Sequence, residues 1–232
     1  MKTNKKIARQ AGFLYLIVVL AGIFSIAYVP SKLFVWGDAS ATFNNISENE
    51  QLFRLGIYAG IVCYTAFALL PFALYKLLHS VNKKFAITMV ILALVSVPIS
   101  LYNLGNKIDV LTLISKADYL NVFSEGQIKA QVLLTLEYYN NGIEIASVFW
   151  GLWLLPFGYL VFKSGILPKV LGVFLMLGCF GDLINFSGGF LFADYRDLGI
   201  ASYVSLPATI GEIGICLWLL IAGAKEYTTN PN

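Results

Sequence analysis

Charge is scarce in this chain. Asp, Glu, Lys and Arg make up 12% of its 232 residues, while 58% are hydrophobic. A soluble domain carries about 25% charged residues, so this chain has too little polar surface to cover a water-soluble fold. Histidine is scarcer still: His79 stands alone, beside lysines in a polar connection. That excludes a His pair for zinc and any Ser–His or Cys–His dyad within a helical bundle. Cys63, Cys179 and Cys216 all fall in apolar stretches and form no C-x-x-C pair. They read as small hydrophobes, with no disulfide framework. No glycine-rich nucleotide loop is present. The basic residues are dispersed in a way that fits membrane orientation and anionic headgroups better than nucleic acid. No catalytic residue and no cofactor emerges, and the sequence leans away from an enzyme.

What the chain has instead is six long apolar runs. A run of about 20 residues matches the ~30 Å hydrocarbon core of a bilayer. The runs predict an all-α, six-helix polytopic membrane bundle, a single domain over 1–232. The spans are about 11–29, 55–78, 85–104, 142–162, 170–190 and 206–224. Orientation follows from the basic residues near the span ends. Lys2, Lys5, Lys6, Arg9, Lys76, Lys83, Lys84, Lys163, Lys169 and Lys225 fall on one side. Lys32, Arg54, Lys107, Lys116, Lys129 and Arg196 fall on the other, with most of the acids. Both termini are therefore expected in the cytoplasm. An alternative lies at the start: Ser25-Ile26-Ala27 has the small residues of a signal-peptide cleavage site. Cleavage there would leave five spans, but the run continues through Val29 and is long enough to cross.

Pro71, Pro98 and Pro156 lie inside spans, where each removes a backbone donor and can kink its helix. Segment 108–122 mixes apolar residues with Asp109, Lys116 and Asp118, as an interfacial amphipathic helix would. Ser124 and Gln127 have the spacing of a capping box. A helix starting there runs into the fourth span unless Asn140-Asn141-Gly142 breaks it. Trp36 and Tyr28 fit an outer aromatic belt, whereas Trp150 and Trp153 belong to helix packing.

Carboxylates within apolar spans are functional candidates. Glu137, Asn141 and Glu144 follow at i, i+4 and i+7 and share one helix face. Gly151 and Gly158 extend that stripe and invite a close neighbour. Asp182 and Asn185 share a face of the fifth span, Glu212 and Cys216 one of the sixth, and Arg54 opens the second. With the inferred topology, all these polar groups, with Asn103 of the third span, fall in the outer half of the bilayer. Three acids (Glu144, Asp182, Glu212) against Arg54 leave a charge of −2 if all ionise. An acid at mid-bilayer costs about 2.5–3.5 kcal/mol. Protonation, a bound cation or an opening to water relieves it. Two readings stay open. One is an outward-facing cavity for a small polar ligand, cation or proton, in a transporter-like protein or accessory subunit. There Arg54 anchors or pairs, the three acids bind, and Asn141 and Asn185 orient. The other is a polar network that locks the helices of a structural or regulatory subunit. A third, minor reading is an oxygen-ligand Mg²⁺ or Ca²⁺ site in an enzyme on lipid-linked substrates.

Phe53-Arg54-Leu55-Gly56 and Leu74-Tyr75-Lys76-Leu77-Leu78 resemble the DUF4386 family of bacterial membrane proteins. So does the run from Phe149 to Leu160, FWGLWLLPFGYL. Lys163-Ser164-Gly165, Pro168, Leu171-Gly172, Gly211-Glu212 and Leu217-Trp218-Leu219-Leu220 continue the likeness over nearly the whole chain. The resemblance implies a multi-span protein of the bacterial cytoplasmic (inner) membrane. That family has no established activity, so it assigns no residue a role.

Overall fold

The computed structural model describes residues 3–195 and 197–226. Lys2 and Arg196, both used in the orientation reading, lie outside the described residues. The described residues are helices and turns, with no strand among them. Six helices are long and apolar enough to cross a membrane: Asn4–Leu33, Glu50–Leu78, Lys83–Ile114, Glu125–Ser164, Lys169–Leu191 and Ala201–Ile221. Even the shortest, at 21 residues, rises about 32 Å at 1.5 Å per residue. This is a multi-pass helical membrane fold.

The first crossing is compound. Helix α1 (Thr3–Gly22) passes into a π-helical turn at Ile23–Tyr28 and then into α2 (Val29–Leu33), with Pro30 in its first turn. The Ser25-Ile26-Ala27 triplet lies in that π turn. The polar connection that follows holds a helix the sequence reading did not foresee, α3 (Ala39–Glu48). Its logic is local. Gly37 takes a left-handed φ of 86°, and Asp38 caps the helix by accepting from the Ala41 amide at 2.9 Å. Thr42 then closes the loop, accepting from the Val35 N–H at 2.9 Å and donating to the Val35 carbonyl at 3.0 Å.

Helix α4 (Glu50–Leu78) turns tightly into α5 (Lys83–Ile114), where the Asn82 side chain accepts from the Phe85 amide. Segment 108–122 is not a helix of its own. Its first half completes α5, and a 3₁₀ turn at Asp118–Val122 follows. The third crossing thus runs ten residues past Leu104, where the apolar run ends. One consequence is a correction. Lys107, placed by the sequence reading in an outer loop, is a helical residue with 1% exposure.

Helix α6 (Glu125–Ser164) has 40 residues. The Ser124–Gln127 box starts it with reciprocal bonds, Ser124 N–H to Gln127 Oε1 at 2.8 Å and Gln127 N–H to Ser124 Oγ at 3.3 Å. Asn140-Asn141-Gly142 does not interrupt it. At its end Ser164 Oγ accepts from the Ile166 and Leu167 amides, and Gly165 takes a φ of 66°. Helices α7 (Lys169–Leu191) and α8 (Ala201–Ile221) complete the chain, joined through a 3₁₀ turn at Ala193–Tyr195. Pro71, Pro98, Pro156 and Pro207 all sit inside helices that stay continuous.

The chain divides into two compact units. The first comprises the described residues of Met1–Leu16, Ala66–Val97 and Ile145–Asn232; the second is Ile17–Thr65 with Pro98–Glu144. In the first unit, glycines let backbones meet, as interfaces without a hydrophobic drive require. A Cβ on Gly12 would sit 2.5 Å from the Leu220 nitrogen, and one on Gly158 would sit 2.6 Å from the Gly172 carbonyl oxygen. Helices α7 and α8 pack closely at Gly178 against Ala208. Trp153 is buried there among Tyr15, Phe67 and Phe157, with ring centroids 5.1–6.2 Å away. The second unit has its own core of Val29, Leu33, Phe34, Ile46, Phe53, Ile57, Val110, Val132 and Leu136. Tyr28 and Trp36 are exposed in it.

Candidate functional site

The six candidate side chains fall in both units. Asp182, Asn185 and Glu212 belong to the first; Arg54, Asn141 and Glu144 belong to the second. Each set is built differently.

In the first unit, Glu212 projects from α8 and accepts a hydrogen bond from the Tyr15 hydroxyl on α1 at 2.8 Å. The close approach at Gly12, one turn before Tyr15, brings α1 near enough to α8 for that bond. The Tyr15 ring is itself buried beside Trp153. Asp182 on α7 is near enough for its charge to act on Glu212. Its Cβ lies against Gly151 of α6, 2.8 Å from where a side chain there would begin. The close approach expected at the Gly151–Gly158 stripe is therefore what seats Asp182. Cys216 lies one turn beyond Glu212, with its Sγ 3.8 Å from the Gly12 carbonyl oxygen. Among the described residues neither Glu212 nor Asp182 makes an ion pair with Lys, Arg or His. The sequence reading passed over Tyr15, although a hydroxyl inside an apolar run is itself a signal.

Asn185 does something else. Its amide donates to the Ala201 carbonyl at 3.0 Å and to Ser205 Oγ at 2.7 Å, and its oxygen accepts from the Tyr195 hydroxyl at 2.7 Å. These bonds use both amide hydrogens and the oxygen to tie α7 to the start of α8.

In the second unit Arg54 pairs with Glu50, one turn earlier on α4, at 2.6 Å, and both side chains are about half exposed. Such i,i+4 pairs are worth about 0.3–0.5 kcal/mol. Glu144 is half-buried and receives a 3.4 Å bond from the Asn140 amide on its own helix, while Glu137 and Asn141 are exposed.

The charge that stands out in this unit is one the sequence reading misplaced. Lys107 donates to the Ser25 carbonyl at 3.0 Å, inside the π turn, whose irregular bonding frees backbone groups for side chains. Its ammonium also lies over the Tyr139 ring, 4.1 Å from the centroid, and 6.0 Å from that of Phe34. No carboxylate pairs with it among the described residues. Asn103, one turn earlier, holds α6 in place by donating to the Tyr139 carbonyl at 2.8 Å. Asn103 packs against Gly142, where a side chain would collide with it. The clue in the sequence was Asn103, Asn106 and Lys107 continuing the helical spacing of the third span.

Among the described residues no three of His, Cys, Asp and Glu stand close enough to hold a metal ion. That gives the Mg²⁺ or Ca²⁺ reading no support. The model of the family described as "Domain of unknown function (DUF4386)" matches residues 10–223. The chain belongs to that family. All six candidate residues, with Tyr15 and Lys107, lie within the DUF4386 match. An uncharacterized protein of Archaeoglobus fulgidus is 26% identical over 151 residues, spanning 62% of this chain and 87% of that protein. No solved structure matches the chain.

Proposed function

We propose that this DUF4386 protein binds a proton or a small cation within its membrane-spanning helices, at Glu212 with Asp182, as a transporter-like protein or an accessory subunit of one. The observation that carries this reading is the Tyr15–Glu212 bond. Among the described residues, a carboxyl inside spanning helices is held by a single hydroxyl, a second acid acts on it electrostatically, and no cation pairs with either. Two carboxyls so placed call for compensating positive charge, because unpaired charge in hydrocarbon is expensive. A proton or a monovalent cation supplies it without the three-ligand cluster that a metal site would need. Glu144 and Asn141, half-buried and exposed respectively, belong to the second unit and are not part of the proposed site. Arg54, occupied by Glu50, sits in an exposed surface pair.

The supporting-subunit reading rests on Asn185, whose saturated bonds are those of a structural clamp. The two readings divide the candidates rather than compete for all of them. The membrane is taken to be the cytoplasmic membrane of a bacterium, with both termini inside; a C-terminal reporter reads out that orientation. The binding reading is tested in proteoliposomes loaded with a pH-sensitive dye. An imposed cation or proton gradient produces a dye response in the wild type, and Glu212→Gln abolishes it. Equal responses in both proteins, or none in either, count against binding at Glu212.

A further inference from the structure

The geometry points to a binding groove for an anionic phospholipid between the first turns of α1 and the last turns of α4. The groove has a volume of about 1170 Å³ and is lined by these two segments of the first unit. It is graded. Lys5, Lys6 and Arg9 from α1 and Lys76 from α4 line one end, and among the described residues no acid lines any part of it. Phe13, Leu69 and Phe72 line the rest and are 58%, 54% and 48% exposed.

Helical spacing explains the gradient. Lys6, Gln10 and Phe13 follow at i, i+4 and i+7 on α1; Leu69, Phe72 and Lys76 follow at i, i+3 and i+7 on α4. Each set shares a face, so both helices present cations at their ends and large apolar side chains further along. Arg9 uses one donor on the Ile221 carbonyl at 3.3 Å and keeps its charge. Apolar surface alone would suit any lipid tail. The four cations select an anionic headgroup beside it, in the way basic pockets at membrane helix ends do. These same cations belong to the basic-rich side that the sequence assigns to the cytoplasm, where anionic lipid is the natural occupant. The inference does not depend on cation binding at Glu212.

The test uses the full chain purified in mild detergent, with lipid adducts measured by native mass spectrometry. Phosphatidylglycerol should be retained over phosphatidylcholine. The double variant Lys6→Gln, Lys76→Gln should weaken phosphatidylglycerol binding about fivefold for each charge removed, with phosphatidylcholine unchanged. Lys163→Gln with Lys169→Gln, which removes two basic residues outside the groove, should leave both lipids unaffected. In the wild type, bound phosphatidylglycerol should shield Lys6 and Lys76 from acetylation, which needs no variant to fold. Equal retention of the two lipids, equal losses in the two double variants, no shielding, or displacement of the lipid by glycerol phosphate at matched concentration would each overturn the proposal.

Discussion

Lys107 and Glu212 are both ionisable groups drawn into spanning helices, and the chain surrounds them in opposite ways. Lys107, in the second unit, meets a carbonyl oxygen from a π turn and the faces of aromatic rings. These are permanent dipoles and quadrupoles of the protein itself, so its charge is met from within. Glu212, in the first unit, meets one hydroxyl and lies near a second acid. Among the described residues no cation pairs with it, and under the proposed reading a proton or cation from outside completes it. Under the proposed reading the contrast separates a structural charge from one that exchanges its partner.

The comparison breaks most readily at Tyr139. Tyr139→Ala removes a buried ring and the face beneath the ammonium, and is expected to cost about 3–5 kcal/mol. In a Lys107→Met background the loss should be smaller, because no cation is left unserved. Unfolding of the four proteins in detergent gives the coupling, and additive losses would show that the ring and the lysine act separately. Next in size is Gly12→Ala. A Cβ there meets the backbone of Leu220, so α1 must shift from α8 at about 1–3 kcal/mol. The dye response should fall with it as Tyr15 leaves Glu212. Tyr15→Phe deletes the 2.8 Å bond alone and should lower stability by roughly 0.6–2 kcal/mol, the range for hydrogen bonds between membrane helices. Glu212→Gln should be near neutral in melting temperature, since an amide oxygen still accepts from Tyr15. A large loss there would make Glu212 a structural charge like Lys107. Smallest is Arg54→Gln, expected to change stability by no more than about 0.5 kcal/mol, because its partner is an exposed i,i+4 carboxylate. A marked loss of dye response in that variant would return Arg54 to the site.

The crossings were legible because apolar length is the dominant signal in a membrane chain, and the Ser124–Gln127 box and the Gly151–Gly158 stripe were legible because their meaning is local. Helix α3 was not. Its formation rests on the Asp38 cap and on Thr42 bonding back to Val35 across a left-handed glycine, features that composition hides among polar residues. Lys107 was misplaced for a related reason: hydropathy ends the third span at Leu104, while the backbone continues for ten residues more. The π turn that receives the lysine has no sequence signature. Of the candidate residues, Asp182, Asn185 and Glu212 fall in one unit. Arg54 instead found a nearer acid in Glu50, because a salt bridge one turn away needs no second helix. The Ser25-Ile26-Ala27 triplet bears on both regions. Loss of residues 1–27 would take the Ser25 carbonyl from Lys107 and the Tyr15 hydroxyl from Glu212.

The most direct measurement is the melting temperature of the purified protein across pH and monovalent-cation concentration, for the wild type beside Glu212→Gln. A carboxyl completed from outside makes the wild-type melting temperature move with proton or cation supply, and makes the variant insensitive. Identical dependence in the two proteins would contradict an exchangeable charge at Glu212.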